Sequence, residues 1–135
     1  MKYYKIIVFS FLVFLNSCNS WFNKHLIENY YIVEADVKED RDVSYQIDSD
    51  GYLGLTGGQV VEVGVFNRYL VAKRNKYGSN YSAWDTSYFI IPIYREKVLD
   101  PSLGVLGPLD YDQLIRELER KGMNLKQFEI IYSEK

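Results

Sequence analysis

The chain has 135 residues, with 16 basic and 18 acidic side chains, one cysteine, one histidine and 16% aromatic residues, a length that suits one domain with a modest core. A net charge of −2 leaves no basic footprint for nucleic acid, and a single cysteine allows no internal disulfide. One histidine with no further cysteine does not supply the usual zinc ligands, so neither a metal nor a cofactor is expected.

The first predicted element is a leader. Lys2 and Lys5 give a positive start, Ile6 to Leu15 is an apolar run broken only by Ser10, and small Ser17 precedes Cys18. This is the three-part layout of an export signal. A membrane-spanning helix needs about 20 apolar residues, and Asn16, Asn19 and Asn23 break the run too soon for that. Removing residues 1–17 takes away Lys2 and Lys5, leaving 14 basic against 18 acidic side chains and a formal charge of −4.

Leu15-Asn16-Ser17-Cys18 resembles the lipobox of bacterial lipoprotein precursors. The resemblance implies cleavage before Cys18, thioether lipidation of its sulfur and acylation of the new amino terminus. Each buried methylene contributes about 0.8 kcal/mol, and two or more acyl chains anchor stably where one holds only marginally. A lipid on Cys18 also removes an exposed thiol. The membrane is therefore an expected partner and the cell envelope the expected location. Asn19 is not the aspartate that resembles an inner-membrane retention signal, which points to the outer membrane of a two-membrane host. In a one-membrane host the place becomes the outer face of the plasma membrane.

Residues 18–29 read as a lipidated tether and 30–135 as a single domain. In the tether, Trp21 and Phe22 either lie at the membrane interface, where aromatic rings are favoured, or cap the core. His25 is expected in solvent. Tyr30 to Ala35 reads as the first strand, followed by a charged turn from Asp36 to Asp42. Val43 to Asp48 alternates, which places Val43, Tyr45 and Ile47 on one pleat face. Asp48-Ser49-Asp50-Gly51 then gives a strong hairpin signal.

The same turn does not make an EF-hand, because Gln46 and Gly57 stand where that loop needs acids. A looser calcium site using Asp36, Asp40 or Asp42 is the alternative to plain turn chemistry. Tyr52 to Leu55 reads as a short return strand. The glycines at 51, 54, 57 and 58 match no phosphate-binding spacing, so turns and close packing explain them. Gln59 to Phe66 and Tyr69 to Arg74 are the clearest strands, joined by Asn67-Arg68. Val61, Val63 and Val65 form an apolar face, with Leu70 and Ala72 opposite, and this hairpin is expected at the centre of the sheet.

Asn75 to Asp85 reads as a loop that mixes Tyr77, Tyr81 and Trp84 with small polar residues. That blend resembles binding loops in which rigid rings supply area and small polar groups supply hydrogen bonds. The three aromatics are therefore candidate contacts for an envelope protein or glycan. The competing reading is an ordinary packed loop, since the mature chain is aromatic throughout, with 11 Tyr, 4 Phe and 2 Trp. Thr86 to Ile93 follows as a strand, and Pro92 argues for a sheet edge because proline cannot donate to the ladder.

Glu96 to Leu109 reads as an irregular crossing. The one helix begins at Asp110, with Gln113 as its capping-box mate and a Leu109–Leu114 staple. Tyr111, Leu114, Ile115 and Leu118 form its apolar stripe, Glu117 and Lys121 are spaced to pair, and Gly122 stops it. Leu125 to Ile131 reads as a final short strand. The expected fold is α+β: an antiparallel meander sheet of about five to six strands with one C-terminal helix packed on it.

The Phe66-Asn67-Arg68-Tyr69-Leu70-Val71-Ala72-Lys73 hairpin, the Tyr88-Phe89-Ile90-Ile91 strand and Gly107-Pro108-Leu109 before the helix resemble an uncharacterised family of small secreted bacterial lipoproteins, over roughly residues 28 to 125. That resemblance implies architecture and carries no activity, ligand or catalytic residue. The expected role is a membrane-anchored, non-enzymatic binding or structural module. One alternative is an inhibitor or immunity-type lipoprotein against an envelope-degrading enzyme. Another is a glycan hydrolase using two carboxylates drawn from Asp36, Asp48, Asp50 and Asp85, although no serine stands in a Gly-x-Ser-x-Gly elbow.

Overall fold

β-Branched and aromatic residues favour pleated, half-buried positions, and they mark most of the nine strands found among the described residues. In the computed structural model, residues 22–34, 37, 40–77 and 84–134 are described. The leader, Cys18, Trp21, Asp36 and Tyr81 lie outside them. The strands are β1 Phe22–Ile27, β2 Tyr30–Glu34, β3 Asp42–Gln46, β4 Tyr52–Gly54, β5 Val60–Phe66, β6 Tyr69–Tyr77, β7 Trp84–Pro92, β8 Leu106–Leu109 and β9 Glu129–Ser133. Among the described residues one α-helix, α1, spans Tyr111–Arg120, and a 3₁₀ turn follows at Leu125–Gln127. No helix among them is long and apolar enough to cross a membrane.

The expected class holds, an antiparallel α+β fold with a single α-helix among the described residues. The strands are divided between two sheets, however, in the orders β1-β2-β3-β4 and β8-β7-β6-β5-β9. Two of them fall where the sequence shows no strand pattern. Phe22–Ile27, expected as part of the tether, pairs with β2 from Phe22↔Glu34 to Ile27↔Tyr30. Its first four residues are exposed, so it has little apolar alternation to betray it, and backbone pairing holds it. Leu106–Leu109, expected within the irregular crossing, pairs with β7 at Tyr88↔Leu109 and Ile90↔Leu106.

That second pairing places β7 between β6 and β8, but its pairs run only from Tyr88 to Ile90 and leave Pro92 beyond them. Ile93 N donates to Arg68 O at 2.7 Å, so the Pro92 nitrogen turns to the opposite side, past the last β8 pair. No ladder donor is needed there.

The two sheets pack face to face over a core in which Tyr30, Ile32, Val43 and Tyr45 meet Val63, Leu70, Ala72 and Ile91, all fully buried. An unpaired buried hydroxyl would cost about 1–3 kcal/mol, and the tyrosines here are paired. Tyr30 Oη donates to Pro92 O at 2.7 Å and accepts from Tyr94 N. Tyr45 Oη accepts from Val98 N at 3.2 Å, and Tyr132 Oη accepts from Arg41 Nη1 at 3.0 Å. Burial pushes the Tyr30 hydroxyl up to about 12. Burial also opposes the Arg41 charge, but Glu34 at 2.9 Å and Tyr132 outweigh it and hold the guanidinium above its ordinary pKa.

Strict alternation fails in β5. Its pairing with β6 shifts between Val60 and Glu62, a bulge that puts one extra residue on the strand. Val60 and Val63 are consequently buried, while Val61 and Val65 are only part-buried. Ile47 is 46% exposed, because β3 ends at Gln46 and the turn has already begun. Asp48 Oδ1 accepts from Asp50 N and Gly51 N, closing the expected hairpin.

α1 covers the other face of the five-stranded sheet, where Leu114 and Leu118 pack with Val71, Ile90, Met123 and Phe128. Asp110 Oδ1 accepts from Gln113 N at 2.7 Å and Gln113 Oε1 accepts from Asp110 N at 2.8 Å, the reciprocal box the sequence predicts. Gly122 has φ 69°, the left-handed stop. Glu117 pairs with Arg120 at 2.9 Å rather than with Lys121. Lys121 is the C-cap with ψ 2°, out of helical phase, and its ammonium lies 5.0 Å over the Tyr69 ring.

The strands run between two ends of the sandwich. Phe22, Glu34, Asp42 and the start of β5 share one end, since Phe22 pairs with Glu34 and Val60 N donates to Arg41 O. The opposite end carries the Asn67-Arg68 turn and the 93–105 connection, which is tied to Tyr30 and Tyr45.

Candidate functional site

The predicted aromatic loop is shorter than Asn75 to Asp85, because both flanking strands run into it. Asn75↔Thr86, Lys76↔Asp85 and Tyr77↔Trp84 are ladder pairs. Tyr77 and Trp84 are therefore strand residues at the tip of a hairpin, and Tyr81 falls outside the described residues. The hairpin extends three pairs beyond Val60↔Arg74, where the β5–β6 ladder ends. At roughly 3.3 Å per residue that is a projection of about 10 Å.

Of the acids considered for calcium or for catalysis, Asp42 and Asp48 are held by their own chain. Asp42 accepts from Thr56 N at 2.9 Å and from the Thr56 hydroxyl. A side chain at Gly54 would run into the Asp42 carboxylate, so glycine there permits the approach. Asp48 closes its turn as described. Among the described residues no three His, Cys, Asp or Glu side chains are grouped to hold a metal ion. His25 is exposed, with Nε2 2.9 Å from Glu28 O and its ring edge-on to Tyr31 at 5.0 Å.

A concave site lies on the helix side of the five-stranded sheet, where α1 leaves part of the face uncovered. Gly64 and Val71 form its floor, and Leu125, Phe128 and Ile130 form one wall. A Cβ at Gly64 would stand 3.1 Å from Phe128 Cβ, so glycine at this position lets Phe128 seat against the strand. Along the rim, Glu62↔Lys73 and Lys73↔Tyr88 are cross-strand pairs. A carboxylate, an ammonium and a phenol thus stand in one row across β5, β6 and β7. Burial raises the Tyr88 hydroxyl pKa, and the neighbouring Tyr111 and Glu62 add to this. The Tyr111 ring packs edge-on against Tyr88 at 6.0 Å.

The cleft holds about 140 Å³. Sites for drug-sized ligands and cofactors run to roughly 300–1,000 Å³, whereas a dry cavity of about 150 Å³ takes a benzene. One aromatic or branched aliphatic group fits, with a polar end oriented by the Glu62, Lys73 and Tyr88 row. The sequence gives little sign of this site, because its residues come from four strands and the 3₁₀ turn. The only local trace is Glu62 and Gly64 interrupting the valines of β5. At the far end of the sandwich, Leu99 is fully exposed and Leu103 is 64% exposed.

Compared with known proteins, the chain matches no family model, no curated protein and no solved structure.

Proposed function

We propose that this chain is a lipoprotein precursor whose mature part, held at a membrane through Cys18, is a non-enzymatic binding module of the cell envelope. The observation that carries this reading is Leu15-Asn16-Ser17-Cys18 closing a short apolar leader that starts after Lys5. The cleft supports the binding role. Its volume takes one side chain of a partner protein, and its rim offers an acceptor at Glu62, a donor at Lys73 and either at Tyr88. Of the acids weighed for carboxylate catalysis, Asp48 is engaged by the backbone N–H groups of Asp50 and Gly51 in its own turn, which supports a binding role there. An inhibitor of an envelope-degrading enzyme is one form such a module takes.

Two measurements test it. Mass spectrometry of the mature protein should find cleavage before Cys18 and an acylated residue there, and Cys18→Ser should move the protein from the membrane fraction to the soluble one. A photocrosslinking residue placed at Ile130, beside the cleft and half exposed, should then capture a discrete envelope protein. If Cys18→Ser matures at the same bond and stays with the membrane, the anchor reading is wrong. If crosslinks at Ile130 match those at an unrelated surface position, the binding role is wrong.

A further inference from the structure

We infer that the end of the sandwich bearing Phe22 rests on the bilayer that carries the anchor, so that the β6–β7 hairpin and Val37 meet the membrane interface and the 93–105 connection faces away from it. This rests on lipidation of Cys18 as proposed above and adds an orientation, which a lipid anchor alone does not specify.

The length of chain outside the structure sets the geometry. Three residues separate Cys18 from Phe22, and an extended chain reaches at most about 3.6 Å per residue. The lipidated residue is therefore no more than about 14 Å from the start of β1. That start does not swing freely, because β1 pairs with β2 from its first residue. The Arg41 guanidinium also lies 4.4 Å over the Phe22 ring, and Arg41 is itself bonded to Glu34 and Tyr132.

Phe22 is thereby placed beside the origin of β5, since Arg41 O accepts from Val60 N at 2.9 Å. From that origin the β6–β7 hairpin projects about 10 Å further toward the same end. A tether of about 14 Å cannot hold this end clear of the surface by much more than the hairpin's own reach. The residue types agree with the geometry. Phe22 and Val37 are 38% and 50% exposed at this end. The last pair of the hairpin ladder is Tyr77↔Trp84, two residue types favoured at membrane interfaces. Leu99 belongs to the opposite end, beyond the six residues of β1, or about 20 Å of strand. Its exposure is not explained by contact with the same bilayer.

The test uses the full-length lipidated protein in vesicles of phosphatidylethanolamine and phosphatidylglycerol. Cys18 is the only cysteine, and its thioether leaves any introduced thiol as the one labelling site. Val37→Cys, Asp85→Cys and Leu99→Cys, all at exposed positions, would carry a nitrobenzoxadiazole probe, quenched by lipids spin-labelled near the headgroup. Quenching at positions 37 and 85 at least twofold stronger than at 99 is the expected result. Equal quenching at the three positions, or the reverse order, on protein that floats with the vesicles overturns the orientation and leaves the anchor standing. Protein that does not float, with Cys18 open to thiol reagents, overturns the anchor and the orientation together.

Discussion

One face of the five-stranded sheet is closed over by the first sheet, while α1 and the 3₁₀ turn cover only part of the other. Tyrosines stand on both faces in different circumstances. Tyr30, Tyr45 and Tyr132 are buried, and their hydroxyls bond to groups distant in the chain. Tyr69, Tyr88 and Tyr111 lie partly exposed under a lysine, at a cleft rim and against a neighbouring ring. In so aromatic a chain, composition alone does not tell a structural tyrosine from one available to a partner. The hydroxyl's partner and the ring's burial do.

The contrast can be broken most forcefully from the closed side. Tyr45→Ala removes a fully buried ring and should cost about 4 kcal/mol, read as a lower urea midpoint with an unchanged slope. A loss under about 1 kcal/mol would mean that the sheets do not depend on this packing.

Tyr30→Phe is a gentler probe, expected to cost about 1–2 kcal/mol because it strips the hydrogen bonds to Pro92 O and Tyr94 N. It also has a pH signature. The Tyr30 hydroxyl is pushed up to about 12 in the fold, against about 10 in an unfolded chain. Above about pH 10 the unfolded state therefore holds fewer protons at this site than the folded one. Stability contributed here is complete below that pH and is lost as pH rises toward about 12. Urea titrations across this range should show a shallower decline for Tyr30→Phe than for the parent chain.

The smallest effect belongs to the open side. Glu62→Gln combined with Lys73→Met should change stability by no more than about 0.5 kcal/mol while reducing capture at the cleft. A loss of about 2 kcal/mol or more would make that row a structural support and erase the difference between the faces.

How far the sequence goes follows the same division between local and assembled features. The helix was legible from Asp110 to Gly122 because its cap, box and stop each involve residues a few positions apart. The Asp50-Gly51 and Asn67-Arg68 turns were legible for the same reason. The second sheet was hidden by two non-local effects. β1 carries mostly exposed residues and is recognisable only beside β2, and the bulge after Val60 changes which valines face inward. The lipobox-like stretch from Leu15 to Cys18 is a feature of the sequence alone and lies outside the described residues. The cleft was invisible, because no periodicity in one segment reports that Glu62, Lys73 and Tyr88 will line up across three strands.

The pairing of β5 with β9 has a consequence for how the chain is made. β6 follows β5 after a two-residue turn, but the neighbour on its other side is supplied only after β7, β8 and the helix have all been laid down. Until then a valine-rich strand presents an open row of donors and acceptors, a template for unwanted pairing between chains. A polypeptide made from its amino terminus thus carries that edge uncovered until its last few residues appear. Guarding against clumping matters most in the interval before residues 129–133 emerge.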